Sequence, residues 1–204
     1  YSDHSIDRFV PVIATALGTL AALGLSRPHM PYKGLIMAIL ISPMIVPLII
    51  TAAGMFFFYA RINLVYTFTG VILAHVALAT PFVVITVTAT LVGFYMNMVK
   101  AAQSLGAKPM RTFFKVIMPL ILPGIISGAL FAFITSFDEV VIVMFMASID
   151  QLTIPKQMWA GIRQEISPVI LCMATCLVVL SIVLLTTVEL LRRRSEKLRG
   201  IKAR

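Results

Sequence analysis

Charge is scarce in this chain. Asp, Glu, Lys and Arg make up only 12% of its 204 residues, where a soluble domain carries about 25%. With 60% hydrophobic residues and a mean hydropathy of +1.01, a water-exposed globule is excluded and a membrane setting is expected. The signatures of several chemistries are missing as well. There is no Gly-x-x-x-x-Gly-Lys-Ser/Thr phosphate loop, so any nucleotide-derived energy must enter from elsewhere. There is no His-Glu-x-x-His, no Ser/His/Asp arrangement and no pair of Asp residues on facing spans, which argues against an intramembrane enzyme. Cysteine is limited to Cys172 and Cys176, four apart inside an apolar run. They read as small packing residues, not as a disulfide or a metal site. The net charge of +9 raises nucleic acid as a partner, but basic residues are not interleaved with aromatic ones, and no nucleic-acid partner is expected. The chain opens at Tyr1 with neither a methionine nor a signal peptide, and is read as the visible part of a longer protein.

What the chain does have is long apolar runs. Phe9–Leu25 comes first, about 17 residues, the lower edge of a bilayer span, with Gly18 and Gly24 as small contact points. After the loop Ser26–Lys33, Gly34–Ala60 is long enough for one span; Pro43 and Pro47 inside it either kink the helix for packing or break it to line a solute path. A turn at Arg61–Asn63 leads to a span placed at about Thr69–Gly93, with Pro81 breaking it near the middle and His75 as its ionisable residue. An intramembrane histidine is a candidate for the solute path; the alternative is a hydrogen bond to a neighbouring helix. Ile117–Ala147 is apolar except for Asp138 and Glu139. Asp138 lies 19 residues past Pro119, about 28 Å along a helix, which puts the acids near the far mouth. A helix, an acidic break and a short apolar return over Val140–Ala147 is expected. An outer loop over Ser148–Met158, an interface anchor at Trp159, a leader Ile162–Pro168 and a last span Val169–Val188 follow. The fold class is therefore all-α, with about five transmembrane helices in one membrane domain covering 1–204.

Between the third and fourth spans lies a polar, basic island, Asn97–Pro119. Met98–Leu105 reads as a short helix with Asn97 as N-cap, Gly106 as the stop, and Pro109 in the first turn of the next helix. Ala101 and Ala102 leave one helix face nearly bare beside Lys100, Lys108 and Arg111, a shape suited to a partner's groove. Positive charge is lopsided. The Ser26–Lys33 loop, the island and the tail 192–204 hold 13 of the 17 Lys/Arg residues, which places all three in the cytoplasm by the positive-inside rule. The basic tail reads as an anchor against anionic membrane lipid.

The island resembles the signature loop of binding-protein-dependent ABC importer permeases, Glu-Ala-Ala, three residues, Gly, nine residues, Ile-x-Leu-Pro. Ala101, Ala102, Gly106 and Pro119 match that pattern, Val116 and Met118 match by similarity, and Lys100 departs from its Glu. The departure bears on any ion pair the Glu would make, not on the docking shape. SFDEVVIVMF (Ser136–Phe145) and LTIPKQMWAGIRQEISPVI (Leu152–Ile170) narrow the likeness to the spermidine/putrescine type, a group that also includes importers of opines and aminophosphonates. The resemblance extends from Val10 to about Arg194. It implies a type I importer permease fold, usually six-helical, in a bacterial inner membrane. It further implies two ABC ATPase subunits carrying ATP and Mg, a second and non-identical permease, and an extracytoplasmic solute-binding protein. This chain itself binds no cofactor on that reading. The coupling residues it implies are Lys100, Ala101, Ala102, Ser104, Leu105, Gly106, Ala107 and Pro109.

The substrate-path candidates are Ser136, Asp138, Glu139 and His75. Carboxylates in a low-dielectric mouth favour a cationic solute such as putrescine or spermidine; alternatively they cap the helix break or grip the binding protein. An opine, aminophosphonate or amino-acid-like solute is the alternative within the same class. An ion-coupled secondary transporter is the alternative outside it, disfavoured because no clear repeat is present and the carboxylates lie away from the midplane.

Overall fold

The computed structural model describes residues 3–27, 29–91, 95–148, 153–164 and 168–198. Among these there are ten helices and no strand. All five expected apolar segments are helical. They are α1 (Asp3–Leu25), the pair α2 (Lys33–Ile45) and α3 (Leu48–Arg61), α4 (Phe68–Leu91), α7 (Met118–Phe137) with α8 (Val141–Met146), and α10 (Pro168–Leu198). Between them lie α5 (Tyr95–Ser104), α6 (Pro109–Thr112) and α9 (Ile154–Gln164). By length and composition, Phe68–Leu91 and Pro109–Phe137 can each cross a membrane, and the bent pair α2–α3 makes a third if it is one span. The apolar parts of α1 and α10, Phe9–Leu25 and Leu171–Thr187, are shorter.

Helix α4 is the centre. It is buried along most of its length, from Gly70 to Leu91, and packs against α1 and α7. No amphipathic stripe is needed for a helix that is surrounded by protein, and its sequence has none. Three glycines set the approach. Gly18 of α1 lies against Val83 and the Thr80 carbonyl, Gly128 of α7 against Val83 and Thr86, and Gly124 of α7 against Thr86 and Thr90. Small residues permit close helix contact in a bilayer, where apolar side chains gain nothing by leaving lipid. Thr86 and Thr90 turn their hydroxyls back to the Phe82 and Val87 carbonyls at 2.9 and 2.7 Å, so they meet the glycines with their own polar atoms satisfied. Of the two glycines marked in α1, Gly18 is a contact point and Gly24 faces open space.

One proline expectation is overturned and one alternative is decided. Pro81 does not break α4, which is continuous through it. Pro81 has no N–H for the Ala77 carbonyl, yet α4 is enclosed by α1 and α7, and membrane helices carry proline where neighbouring helices surround it; Thr80 Oγ1 donates to the Val76 carbonyl at 2.6 Å in the same turn. The break lies instead at Val46–Pro47, both extended with ψ of 135° and 130°, and α2 and α3 diverge by 108°. The residue before a proline is driven out of the α region, which ends α2 there. Pro43, one turn earlier, stays inside α2.

Other boundaries move. The outer loop expected over Ser148–Met158 is already helical from Ile154, because Thr153 is buried and its Oγ1 accepts the Lys156 N–H at 3.4 Å. The apolar part of the last span, Leu171–Thr187, agrees with the expected Val169–Val188, but the helix does not stop there. It runs on as one helix to Leu198, into the basic tail, where Glu189 and Arg193 pair at 2.7 Å one turn apart. Cys172 and Cys176 are free and exposed on α10, not packed, since that helix touches the bundle chiefly through α7 and α9. The expected span end at Gly93, the loop positions 149–152, the leader positions 165–167 and the tail positions 199–204 lie outside the described residues.

Candidate functional site

The chain presents two places where function can reside, one at each end of α7. At the island end, α5 begins at Tyr95 and not at Met98, so Asn97 lies within the helix and is not its N-cap. The stop is as expected. Gly106 has φ +75°, its N–H donates to the Gln103 carbonyl at 2.9 Å, and the Ala107 N–H reaches the Ala102 carbonyl at 3.0 Å. Those two bonds make a Schellman cap, which satisfies carbonyls that a helix end leaves bare. Lys108 is extended, and Pro109 takes the first turn of α6.

Val99 packs inward against the core, as does Phe113. Lys100, Ala101, Ser104, Leu105, Gly106 and Pro109 are exposed, while Ala102 and Ala107 are half-buried. The bare face expected at both alanines is therefore carried by Ala101. Met98 and Leu105, 87% exposed, flank it at helical spacing, and Met110 and Phe114 continue the apolar surface. Between this surface and α7, residues Phe113–Ile117 form a π-helical turn in which the Met118 N–H bonds the Phe113 carbonyl. Sequence reading missed that turn. The rare i→i+5 bond falls just before Pro119, which has no N–H to offer.

At the other end, α7 stops at Phe137, Asp138–Val140 are unwound, and α8 returns over six residues. The expected acidic break is thus present. Glu139 is buried and turned inward: Oε1 accepts the Val141 and Ile142 N–H groups at 2.8 and 3.0 Å, and Oε2 accepts Ile142 at 2.9 Å. It caps α8, whose first amides have no partner within so short a helix. Ser136 is buried in the last turn of α7, and its Oγ lies 3.0 Å from Nδ1 of His75. His75 Nε2 lies 3.8 Å from Glu139 Oε2. That distance is too long for a hydrogen bond, and Nε2 has no other partner. So the structure brings three of the four path candidates together as a buried cluster.

Asp138 stands apart from them. It is exposed and lines, together with the edge of Glu139, a cavity of about 390 Å³ bounded by the α2–α3 break (Pro43, Met44, Leu48), by Leu78 and Phe82 of α4, and by the α7–α8 break. A cavity of this size, apolar with few polar groups, matches the usual form of a small-solute site. Phe82 is stacked on Phe131 with ring centroids 6.1 Å apart, which holds that wall in place. Of the wall residues from α2, α3 and α4, Pro43 carried a sequence signal as part of a possible break lining a solute path; Met44, Leu48, Leu78 and Phe82 carried none, although Gly124-x-x-x-Gly128, which brings α7 to α4, is a recognisable small-residue spacing.

A ten-helix membrane chain with a capped, outward-facing short helix on one side and a carboxylate-bearing cavity on the other has the layout of a permease. Residues 14–197 match the family described as binding-protein-dependent transport system inner membrane component, and the chain belongs to that family. It is a multi-pass inner-membrane permease subunit of such a transport system. The chain is 30% identical over 187 residues to the spermidine/putrescine transport system permease protein PotC of Haemophilus influenzae, covering 92% of this chain and 73% of that one. It is 29% identical over 170 residues to the putrescine transport system permease protein PotI of Escherichia coli (strain K12), covering 79% and 60%. A crystal structure of an amino acid ABC transporter with histidines aligns with a TM-score of 0.66 at 18% identity, over 93% of this chain and 89% of that one, and shares the fold.

Proposed function

We propose that this chain forms half of the translocation path of an ATP-driven polyamine importer. The observation that carries the solute assignment is the acidic lining of a mostly apolar cavity: Asp138 and Glu139 both border it, and Asp138 is the exposed one, since the Glu139 carboxylate is engaged by the amides of α8. An alkyl diamine needs such a seat, an anion for its ammonium and apolar walls for its methylenes. The names of the similar permeases support the same choice. The coupling face is Met98, Ala101 and Leu105, with Lys100 and Ser104 beside it. An ATPase subunit docks there, one beneath each of two permeases, and carries ATP and Mg. Gly106, Ala107 and Pro109 form the corner that passes its motion into the π turn and α7. The exposed apolar faces of α2 and α3, including Ile39, Ile49 and Phe57, meet lipid or the second permease. The island and tail are cytoplasmic, and a solute-binding protein delivers from the opposite side.

The test is ATP hydrolysis by the reconstituted complex with its binding protein loaded in turn with putrescine, spermidine, an opine, an aminophosphonate and an amino acid. Stimulation by the polyamines supports the reading. Stimulation by an anionic or zwitterionic solute alone keeps the importer and removes the diamine seat. A permease that purifies with no ATPase removes the importer mechanism.

A further inference from the structure

We infer that His75 is a positioning residue, a bolt between α4 and the unwound α7–α8 break that keeps Asp138 turned to the cavity. The inference rests on the transport reading above, but its own observations are structural. His75 is 1% exposed, so in this conformation the ring cannot touch a solute in the cavity. Its two nitrogens instead address both sides of the break. Nδ1 meets Ser136, the second-last residue of α7, at 3.0 Å, and Nε2 points to Glu139, which holds the first turn of α8. One ring therefore spans a gap in which Asp138, Glu139 and Val140 have no helix of their own.

The carboxylate also decides the tautomer. If Nδ1 carried the proton, the Nε2 lone pair would face the Glu139 oxygens across 3.8 Å, lone pair against lone pair. With the proton on Nε2, an N–H faces the carboxylate and Nδ1 accepts from the Ser136 hydroxyl. Ser136 is then a donor and His75 an acceptor in the bond that ties α4 to α7. Neither Oε atom of Glu139 is idle, since both accept backbone N–H groups of α8. The Nε2–H therefore holds the carboxylate by charge at a distance while the α8 cap holds it by hydrogen bonds. Losing the ring would leave Ser136 without its partner across the helix contact and free the break to rotate. Asp138 and Glu139 are adjacent in that break and both border the cavity, so a rotation there moves the Asp138 carboxylate away from its place in the lining.

The experiment compares His75→Phe, His75→Asn, Ser136→Ala and the double variant His75→Phe with Ser136→Ala in the assembled complex. Asn keeps a polar atom where Nδ1 sits; Phe keeps the bulk and removes both nitrogens. Putrescine uptake should fall about tenfold in His75→Phe, and His75→Asn should recover most of it. Adding Ser136→Ala to His75→Phe should cost nothing further, because the bond is already gone. Hydrogen exchange at the Val141–Val143 amides should quicken in His75→Phe and not in His75→Asn, a readout that stands whatever the solute is. Unchanged uptake and exchange in His75→Phe would overturn the bolt. So would equal damage by Asn and Phe, or fully additive losses. If the wild-type complex moves no polyamine, the solute assignment fails and the exchange comparison alone decides the bolt.

Discussion

Gly128 of α7 lies against Val83 of α4 so closely that a Cβ on the glycine would stand 2.9 Å from the Val83 Cα. A side chain can turn away from such an approach; a backbone atom cannot. Helices α4 and α7 carry the two ends of the site, so this contact fixes the frame in which Asp138, His75 and the Gly106 corner are held. Replacing Gly128 by Leu should separate the two helices and cost about 1–3 kcal/mol, seen as a lower melting temperature of the detergent-solubilised permease. Gly24→Ala is the control. Nothing lies within 4 Å of a Cβ there, so that variant should melt no lower than wild type. Equal melting of Gly128→Leu and wild type would remove the contact from the account of stability.

The corner at Gly106 makes a second prediction. Its φ of +75° suits glycine and strains a residue with a Cβ by about 1–2 kcal/mol. Gly106→Val should loosen the junction of α5 and α6, and Gly106→Asn should be the mildest replacement. Solute-stimulated ATP hydrolysis is the measurement, with loss in Val and partial retention in Asn. Full retention by Val would show that the corner's geometry does not transmit motion.

The coupling face is addressed by bulk. Ala101 is exposed and Ala102 half-buried, so Ala101→Trp should leave the fold intact and fill the face proposed to receive an ATPase. Transport should be lost while the permease still melts as wild type. Ala102→Trp should do both, lowering the melting temperature and uncoupling. If Ala101→Trp transports normally, docking takes place elsewhere.

The two adjacent acids should separate cleanly. Asp138→Asn removes a cavity charge and should reduce uptake of a diamine about tenfold without changing stability. Glu139→Gln puts an amide NH2 where an oxygen now accepts backbone N–H groups, and should cost about 1–2 kcal/mol of stability. Reversed results, with Asp138→Asn unstable and Glu139→Gln stable but transport-dead, would exchange their roles.

How much of this could be read from residue order depends on the range of the interaction. The apolar segments, the glycine stop, the acidic break and the docking helix are local: each follows from a run of hydrophobic residues, one residue's backbone preference or a charge in an apolar stretch. Ser136, Asp138, Glu139 and His75 were legible as polar residues in a membrane. Their division of labour was not. Proline misled at Pro81, because its effect depends on its surroundings. Helix α4 is enclosed by α1 and α7 and stays continuous through Pro81, whereas Val46 is forced extended ahead of Pro47.

Sequence by itself determined that this chain lives in a membrane, how its helices are spaced and to which family it belongs, since hydropathy and short motifs are properties of neighbouring residues. Tertiary structure alone decided that His75 meets Ser136 across 61 positions and that Glu139 is buried as the cap of α8 while Asp138 beside it stays exposed at the cavity. Those outcomes depend on how closely α4 and α7 approach and on which backbone amides are left without partners. Both are settled only when distant segments pack against each other.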